Sequence, residues 1–322
     1  MATPGRVVVV GSLNVDSTSY VASFPAPGET ALSHGFQVAL GGKGSNQAVA
    51  AHVVGASVEL VARVGADAAG DYALATLARF GLPTDAIGRD ADGPTGVAQI
   101  TVADSGENTI IVTGGANRTM TPEVVDAERE RIAAAALVLT QGELPVATID
   151  RIAALAAQAG ARFVLNLAPP APVAVATLRL ADPLVVNEHE ARAVGIGTDA
   201  AGTSLEDWRV AAASAVGTIA RSVVVTLGSA GAVAASAGGS WAAPAPRVDA
   251  VDTTGAGDGF TGALAAFLAE GAALEHALRF AVAAGALAVQ ARGTVDSYAP
   301  RDAVLRVAGL DVTDERDGAV SE

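Results

Sequence analysis

Residues able to hold and transfer an anionic group cluster in one stretch, Val251-Asp-Thr-Thr-Gly-Ala-Gly-Asp-Gly-Phe260. It continues as Thr-Gly-Ala-Leu-Ala-Ala-Phe-Leu, which puts Phe260, Leu264, Phe267 and Leu268 on one helical face. A glycine-rich turn therefore opens a helix. Such a turn presents backbone N–H groups without helical partners at the positive end of the helix dipole, where anionic oxygens bind. Asp258 sits within that opening. A carboxylate beside an anion hole can take a proton from a hydroxyl while the amides stabilise charge on a moving phosphoryl group. The dipole alone also favours an aspartate in a first helical turn, so other motifs must decide between the two readings.

A second glycine-rich stretch is Gly41-Gly-Lys-Gly-Ser-Asn-Gln-Ala-Val-Ala50. It is not a Walker loop, because Lys43 is followed by Gly44 rather than Ser or Thr. Nor does the later stretch carry the dinucleotide fingerprint, because Phe260 stands where the third glycine would be. The failed fingerprint argues against a dinucleotide-dependent oxidoreductase. The four histidines, His34, His52, His189 and His276, are scattered without paired metal spacing. There is no cysteine, which excludes disulfides, thiolate catalysis and zinc–thiolate sites.

The elements that must position these residues alternate. Arg6-Val-Val-Val-Val10 reads as a strand buried on both faces. Similar runs recur at Val58–Val61, Leu137–Leu139, Phe163–Leu167, Leu184–Val186 and Val223–Leu227. Helical stretches fall between and after them, at about 44–55, 70–80, 121–135, 146–159, 205–220, 256–270 and 272–291. The alternation predicts an α/β fold with a central, mostly parallel sheet and helices on both faces. Two stretches break the rhythm. Residues 12–40 are rich in Ser, Pro and Gly, and 95–113 read as a hairpin of amphipathic strands. Together they predict either a small β lid, discontinuous in sequence, or ordinary surface hairpins. One domain is expected over 1–310, with a flexible acidic tail over 311–322.

Composition narrows the partners. Of 322 residues, 51% are hydrophobic, enough for a large core. Lys and Arg number 20 against 34 Asp and Glu, a formal charge of −14. A chain this acidic is unsuited to coating nucleic acid or an anionic membrane. The run 277–291 is apolar but interrupted by Arg279 and Gln290, as in a buried core helix. No signal-peptide pattern is visible at the start, so a cytoplasmic location is expected.

With these motifs in order, the sequence resembles the ribokinase-like (PfkB) carbohydrate kinases from about residue 6 to 309. The early signature is the Gly41–Ala50 stretch and the late one Asp252–Asp258, with Asn187-Glu-His-Glu190 and Thr226-Leu-Gly-Ser-Ala-Gly231 between them. The resemblance implies ATP-dependent phosphorylation of the terminal hydroxyl of a pentose, with D-ribose expected. Deoxyribose, a ketohexose or a nucleoside remain open, as does a non-catalytic sugar- or nucleotide-sensing relative. It further implies that Asp258 is the general base and that Gly255, Ala256 and Gly257 form the anion hole. Asn14, Asp16, Gly42, Lys43, Asn46 and Glu143 would hold the sugar. For Asn14 and Asp16 the alternative is turn chemistry, and for Glu143 a solvated loop acid.

Asn187, Thr226, Gly228, Ser229, Ala230 and Gly231 would serve the nucleotide, and Glu190 would organise Mg2+ through water. The alternatives are a plain hairpin at 226–231 and an ordinary surface acid at 190. Asp252, Thr254, Ala288, Ala291, Gly293 and Ser297 match a potassium site, with Thr294 and Asp296 departing from the family's small residues there. Val282 implies a purely apolar contact near the adenine. A homodimer through the lid is implied as well.

Overall fold

The computed structural model describes residues 5–197 and 204–309. Thirteen strands run in chain order as β1 (Arg6–Val10), β2 (Asn14–Val21), β3 (Gly35–Gly41), β4 (Ser57–Gly65), β5 (Ile87–Asp90), β6 (Gly96–Ala103), β7 (Asn108–Thr113), β8 (Leu137–Gln141), β9 (Arg162–Asn166), β10 (Leu184–Asn187), β11 (Ser222–Thr226), β12 (Ala232–Ser236) and β13 (Gly239–Ala243). Eleven helices are α1 (Lys43–Val53), α2 (Ala68–Arg79), α3 (Pro122–Ala127), α4 (Arg129–Ala133), α5 (Val146–Ala159), α6 (Val175–Leu180), α7 (Glu188–Ala193), α8 (Leu205–Ala215), α9 (Ala256–Ala269), α10 (Leu274–Ala288) and α11 (Arg301–Val307).

Nine strands form the main sheet in the order β13-β12-β11-β10-β9-β8-β1-β4-β5. The seven from β11 to β5 are parallel, and β12 and β13 extend the sheet antiparallel. Val7 to Val10 are all fully buried, as expected of a strand covered on both sides. Strand alternation assigns the faces. Val7 and Val9 pack into the core shared with α1, α9 and α10. Val8 and Val10 pack into the opposite core with Ile149, Ile152 and Trp208. Each such side chain contributes about 1.5–3 kcal/mol of burial.

Small residues let the helices come close. A Cβ on Gly262 would lie 2.5 Å from the Gln47 carbonyl and 2.6 Å from Ala50 Cβ, so α9 crosses α1 almost backbone to backbone. A Cβ on Gly44 would lie 2.5 Å from the Ser12 nitrogen, so the start of α1 rests equally tightly on the chain leaving β1.

The two stretches that broke the sequence rhythm join as a separate four-stranded sheet, β3-β2-β6-β7, with β2 and β6 parallel and both outer pairs antiparallel. The tail expected over 311–322 lies outside the described residues. The expected helix over 121–135 is two helices, because the backbone at Glu128 leaves helical geometry. Among the described residues, no helix is long and apolar enough to cross a membrane.

Candidate active site

In an open parallel sheet, ligands bind in the crevice beyond the carboxyl ends of the strands. Those ends are where the sequence motifs converge. β1 runs into Gly11-Ser12, β8 ends at Gln141, β9 at Asn166, β10 at Asn187 and β11 at Thr226. In register, Gln141 pairs with Asn166 and Asn187 with Thr226.

Asp258 occupies the first turn of α9 and is 6% exposed. Its Oδ1 accepts from Gln47 Nε2 at 2.8 Å and its Oδ2 from Asn46 Nδ2 at 3.0 Å. Both donors sit on α1, so the α1–α9 crossing joins the two glycine-rich motifs of the sequence. Gly255 caps α9 with φ 76°, a left-handed conformation that favours glycine. The Ala256 N–H reaches the Thr253 carbonyl at 3.3 Å. The N–H groups of Gly257 and Asp258 have no acceptor among the described residues, and a Cβ at Gly257 would meet nothing within 4 Å. The helix thus opens onto free space with its amides exposed, which suits an anionic oxygen.

Around Asp258 stand the other predicted polar groups. Asp16, on β2, has a buried Oδ1 with no partner. Burial, then the charges of Glu143 and Asp258, push its carboxyl up to about 6. Lys43 is held above the usual lysine range, first by Asp258 against the opposing effect of burial, then by Glu143 and Glu190. A weakened acid and a reinforced cation in one pocket mark a functional site rather than a solvated loop. Asn46 keeps a buried Oδ1 without a partner while its amide serves Asp258. That orphan acceptor is ready for a ligand hydroxyl.

Glu143 is not a solvated acid. It accepts from the Ser12 hydroxyl and from the Lys43 N–H at 3.0 Å, and the Gly44 N–H bonds Ser12 Oγ at 3.2 Å. The carboxylate therefore caps α1 where Gly42, with φ 88°, has no side chain to do so. Glu190 is not a surface acid either, being 8% exposed. It forms a reciprocal capping box with Asn187, whose side chain accepts from the Glu190 N–H at 2.9 Å. Burial raises its carboxyl above the usual range, opposed by the Asn187 N–H, Lys43 and His189 and reinforced by Asp258.

A cleft of about 1030 Å³ lies between the small sheet and the turns that precede and follow α9 and α10. Asp16, Thr18, Ile100 and Ile110 line one side, and Thr253, Thr254 and Arg292 the other. Asp258 is not in this wall. It is buried, and its charge acts on Asp16, which does line the cleft. A second cavity of about 410 Å³ lies between Ala242–Pro246 and α10.

Comparison with known proteins agrees with this geometry. The profile of the pfkB family carbohydrate kinases matches residues 5–301. A ribokinase of Haemophilus influenzae is 35% identical over 300 residues, 93% of this chain and 97% of that protein. A deoxyribokinase of Salmonella typhi is 32% identical over 91% of this chain and 95% of its own. The solved structure of Arabidopsis thaliana ribokinase complexed with ribose and ATP superposes with a TM-score of 0.87 at 34% identity, covering 97% of this chain and all of that one. This chain belongs to the pfkB family of carbohydrate kinases.

In this pfkB kinase the remaining predicted residues gather in two places. The first is the β11–β12 hairpin. Thr226 ends β11, and Gly228, Ser229 and Ala230 form an exposed turn closed by Gly231, where a Cβ would lie 2.1 Å from the Ala243 carbonyl. The motif forms a hairpin, with β11 and β12 antiparallel, and its tip lies at the carboxyl end of β11. Val282 lines the second cavity, but so does Arg279, so that wall is not purely apolar.

The second place is the pair of loops beside α9. Asp252 Oδ1 accepts from the Thr254 N–H at 2.9 Å and Oδ2 from the Gly293 N–H at 3.1 Å. Burial pushes this carboxyl up, but the Thr254 and Gly293 donors and Arg292 outweigh it and hold it below the usual range. Asp252 thus brings Thr254 and Gly293 together, while Ala288 and Ala291 close α10 and Ser297 ends the loop. The Asp252 carboxylate is a negative charge that could balance a monovalent cation beside these loops.

Four residues escaped the sequence reading. Asn117 bonds Leu13 through both its main-chain groups, at 2.9 and 3.2 Å, and donates to Asn14 Oδ1 at 2.7 Å. It fixes the Asn14 amide, yet within Gly114-Gly-Ala-Asn it reads as turn chemistry. Tyr298 donates to the Gly255 carbonyl at 3.2 Å, bracing the N-cap of α9. Gln141 and Asn166 look like strand residues and gave no signal at all.

Proposed function

We propose that this kinase transfers the γ-phosphoryl group of ATP to the terminal hydroxyl of D-ribose, giving ribose 5-phosphate and ADP. The observation that carries the reading is the Asp258 carboxylate, clamped by two side-chain amides beside the free N–H groups of α9 and within the field of Asp16 and Lys43. Ribokinases, one of them complexed with ribose and ATP, support the substrate pair at 34–35% identity. Deoxyribose is the competing acceptor, since a deoxyribokinase is 32% identical.

Asp16, Asn14, Lys43, Asn46 and Glu143 bind the sugar hydroxyls, with Gly42 allowing its backbone to come close. Asp258 takes the proton of the terminal hydroxyl as its oxygen attacks the γ-phosphorus in line. The amides of the Gly255–Ala256–Gly257 turn and Asp258 stabilise charge on the moving phosphoryl group, and little covalent work is left to the protein. Ligand entry displaces the Ala256 N–H from Thr253. The hairpin at Thr226–Gly231 and Asn187 hold the nucleotide, and the 410 Å³ cavity receives its base. Glu190 would hold hydrated Mg2+, which neutralises charge on the phosphates. Asp252, with Thr254, Ala288, Ala291, Gly293 and Ser297, would hold K+, which strengthens the field at the anion hole.

The small sheet closes over the cleft and excludes water. Its other face carries Phe36 at 65% and Ile111 at 60% exposure with Val38 beside them, and we assign this apolar face to a homodimer contact. We place it in the cytoplasm, a compartment supplied with ATP. The deciding experiment is Asp258→Asn. Sugar and ATP binding are retained, while turnover falls by roughly 10²–10⁴-fold. Normal turnover in that variant would end the base assignment.

A further inference from the structure

The mechanism above uses Asp258 but leaves unexplained three fully or nearly buried amides beneath it, Gln47, Gln141 and Asn166. Polar side chains at such depth cost stability unless every group is paired. Here the pairing has a direction. Asn166 Nδ2 donates to the Val185 carbonyl at 3.1 Å. A backbone carbonyl only accepts, so the Asn166 amide cannot be reversed, and its Oδ1 must face Gln47. That oxygen lies 2.8 Å from Gln47 Nε2. The Gln47 NH2 group is thereby fixed toward Asn166, and its second hydrogen goes to Asp258 Oδ1 at 2.8 Å. On the far side, Gln141 Nε2 donates to Gln47 Oε1 at 2.9 Å, which holds the same orientation again. The only group left over is Gln141 Oε1, buried and without a partner among the described residues.

From this chain we infer that Gln47 is a positioning residue for phosphoryl transfer, locking the rotation of the Asp258 carboxylate from a donor whose direction is set by the Val185 carbonyl of β10. The inference rests on Asp258 being the base. Asn46 clamps the other carboxylate oxygen but also offers its own Oδ1 to the site, so it is free to respond to a ligand. Gln47 is not. Its carbonyl lies against Gly262 at the α1–α9 crossing, and its side-chain amide is spent on Asp258, Asn166 and Gln141. It touches no open cleft and contributes nothing to binding either substrate.

The test is Gln47→Met, close to the same shape without the amide, measured in the wild-type and Asp258→Asn backgrounds. Alone, the substitution lowers kcat about 100-fold, the loss expected of a reacting group misplaced by about 1 Å. The dissociation constants of sugar and ATP stay within about threefold of wild type. In the Asp258→Asn background it lowers turnover no further, because a residue acting only through the carboxylate has nothing left to act on. Wild-type kcat in the single variant, or an equal fall in both backgrounds, overturns the inference while leaving the base assignment intact. Normal turnover in Asp258→Asn alone overturns both. Should Gln47→Met fail to bind its ligands, Gln141→Met decides the matter. It removes the outer clamp, lowers kcat with binding preserved, and again has no effect in the Asp258→Asn background; an unchanged kcat there sinks the inference.

Discussion

Asp16 is a charged group held where charge is costly, and replacing it separates stability from function. Its carboxyl moves from 3.8 to about 6, chiefly by burial and then by the nearby charges of Glu143 and Asp258. A folded-state pKa above the unfolded one means that the native protein binds this proton more tightly. The penalty for ionising Asp16 is therefore absent below pH 3.8, grows between 3.8 and about 6, and is constant above that. At neutral pH it amounts to about 3 kcal/mol. Asp16→Asn keeps the shape and removes the charge. The variant should melt about 5 °C above wild type at pH 7.5. The two should converge as the pH approaches 4. Sugar binding runs the opposite way, because two ionised carboxylate oxygens accept hydroxyls that an amide holds less well. In the wild type, acidification to pH 5 leaves roughly a tenth of Asp16 ionised, so KM for the sugar rises roughly tenfold from its value at pH 8. The variant shows a high KM with no such slope. Thermal unfolding from pH 4 to 8 and a coupled assay of ADP release read both effects. A variant that melts below wild type at pH 7.5, or a wild-type KM flat down to pH 5, refutes the reasoning.

The remaining expectations concern glycines and the small sheet. Gly257→Ala meets no neighbouring atom, so its melting temperature stays within about 2 °C of wild type while kcat drops, since the new methyl group faces the phosphoryl path. Loss of folding would refute that placement. Gly262→Ala pushes α9 off Gln47 and Ala50 and costs about 1–3 kcal/mol by overpacking, read from denaturant midpoints. Phe36→Asp on the outer face of the small sheet yields monomers in sedimentation, whereas an unchanged mass leaves that face without a partner.

What the sequence reveals and what it hides divide along physical lines. The main sheet is legible because a strand buried on both faces must be apolar throughout, and runs such as Val7–Val10 have no other use. The proposed anion hole is legible because left-handed backbone at Gly255 favours glycine, and a glycine turn opening a helix is visible in the sequence. Glu143 and Glu190 are ambiguous in sequence because a carboxylate capping a helix and a carboxylate in water look alike. Only folding reveals that Glu143 stands in for the side chain that Gly42 lacks. Gln47, Gln141 and Asn166 are hidden for a different reason. Their partners lie 119, 94 and 19 residues away along the chain, so no local pattern can announce them. They come together because Gly262 and Gly44 let α1 wedge between α9 and the end of β1, which delivers the amides of α1 to a carboxylate on α9. The glycines visible in the motifs thus do two jobs. Some leave open space beside the start of α9, and others close the distance between elements so that Asp258 is held from behind. A conformational account of the first kind alone would miss why Gly262 lies one turn beyond Asp258.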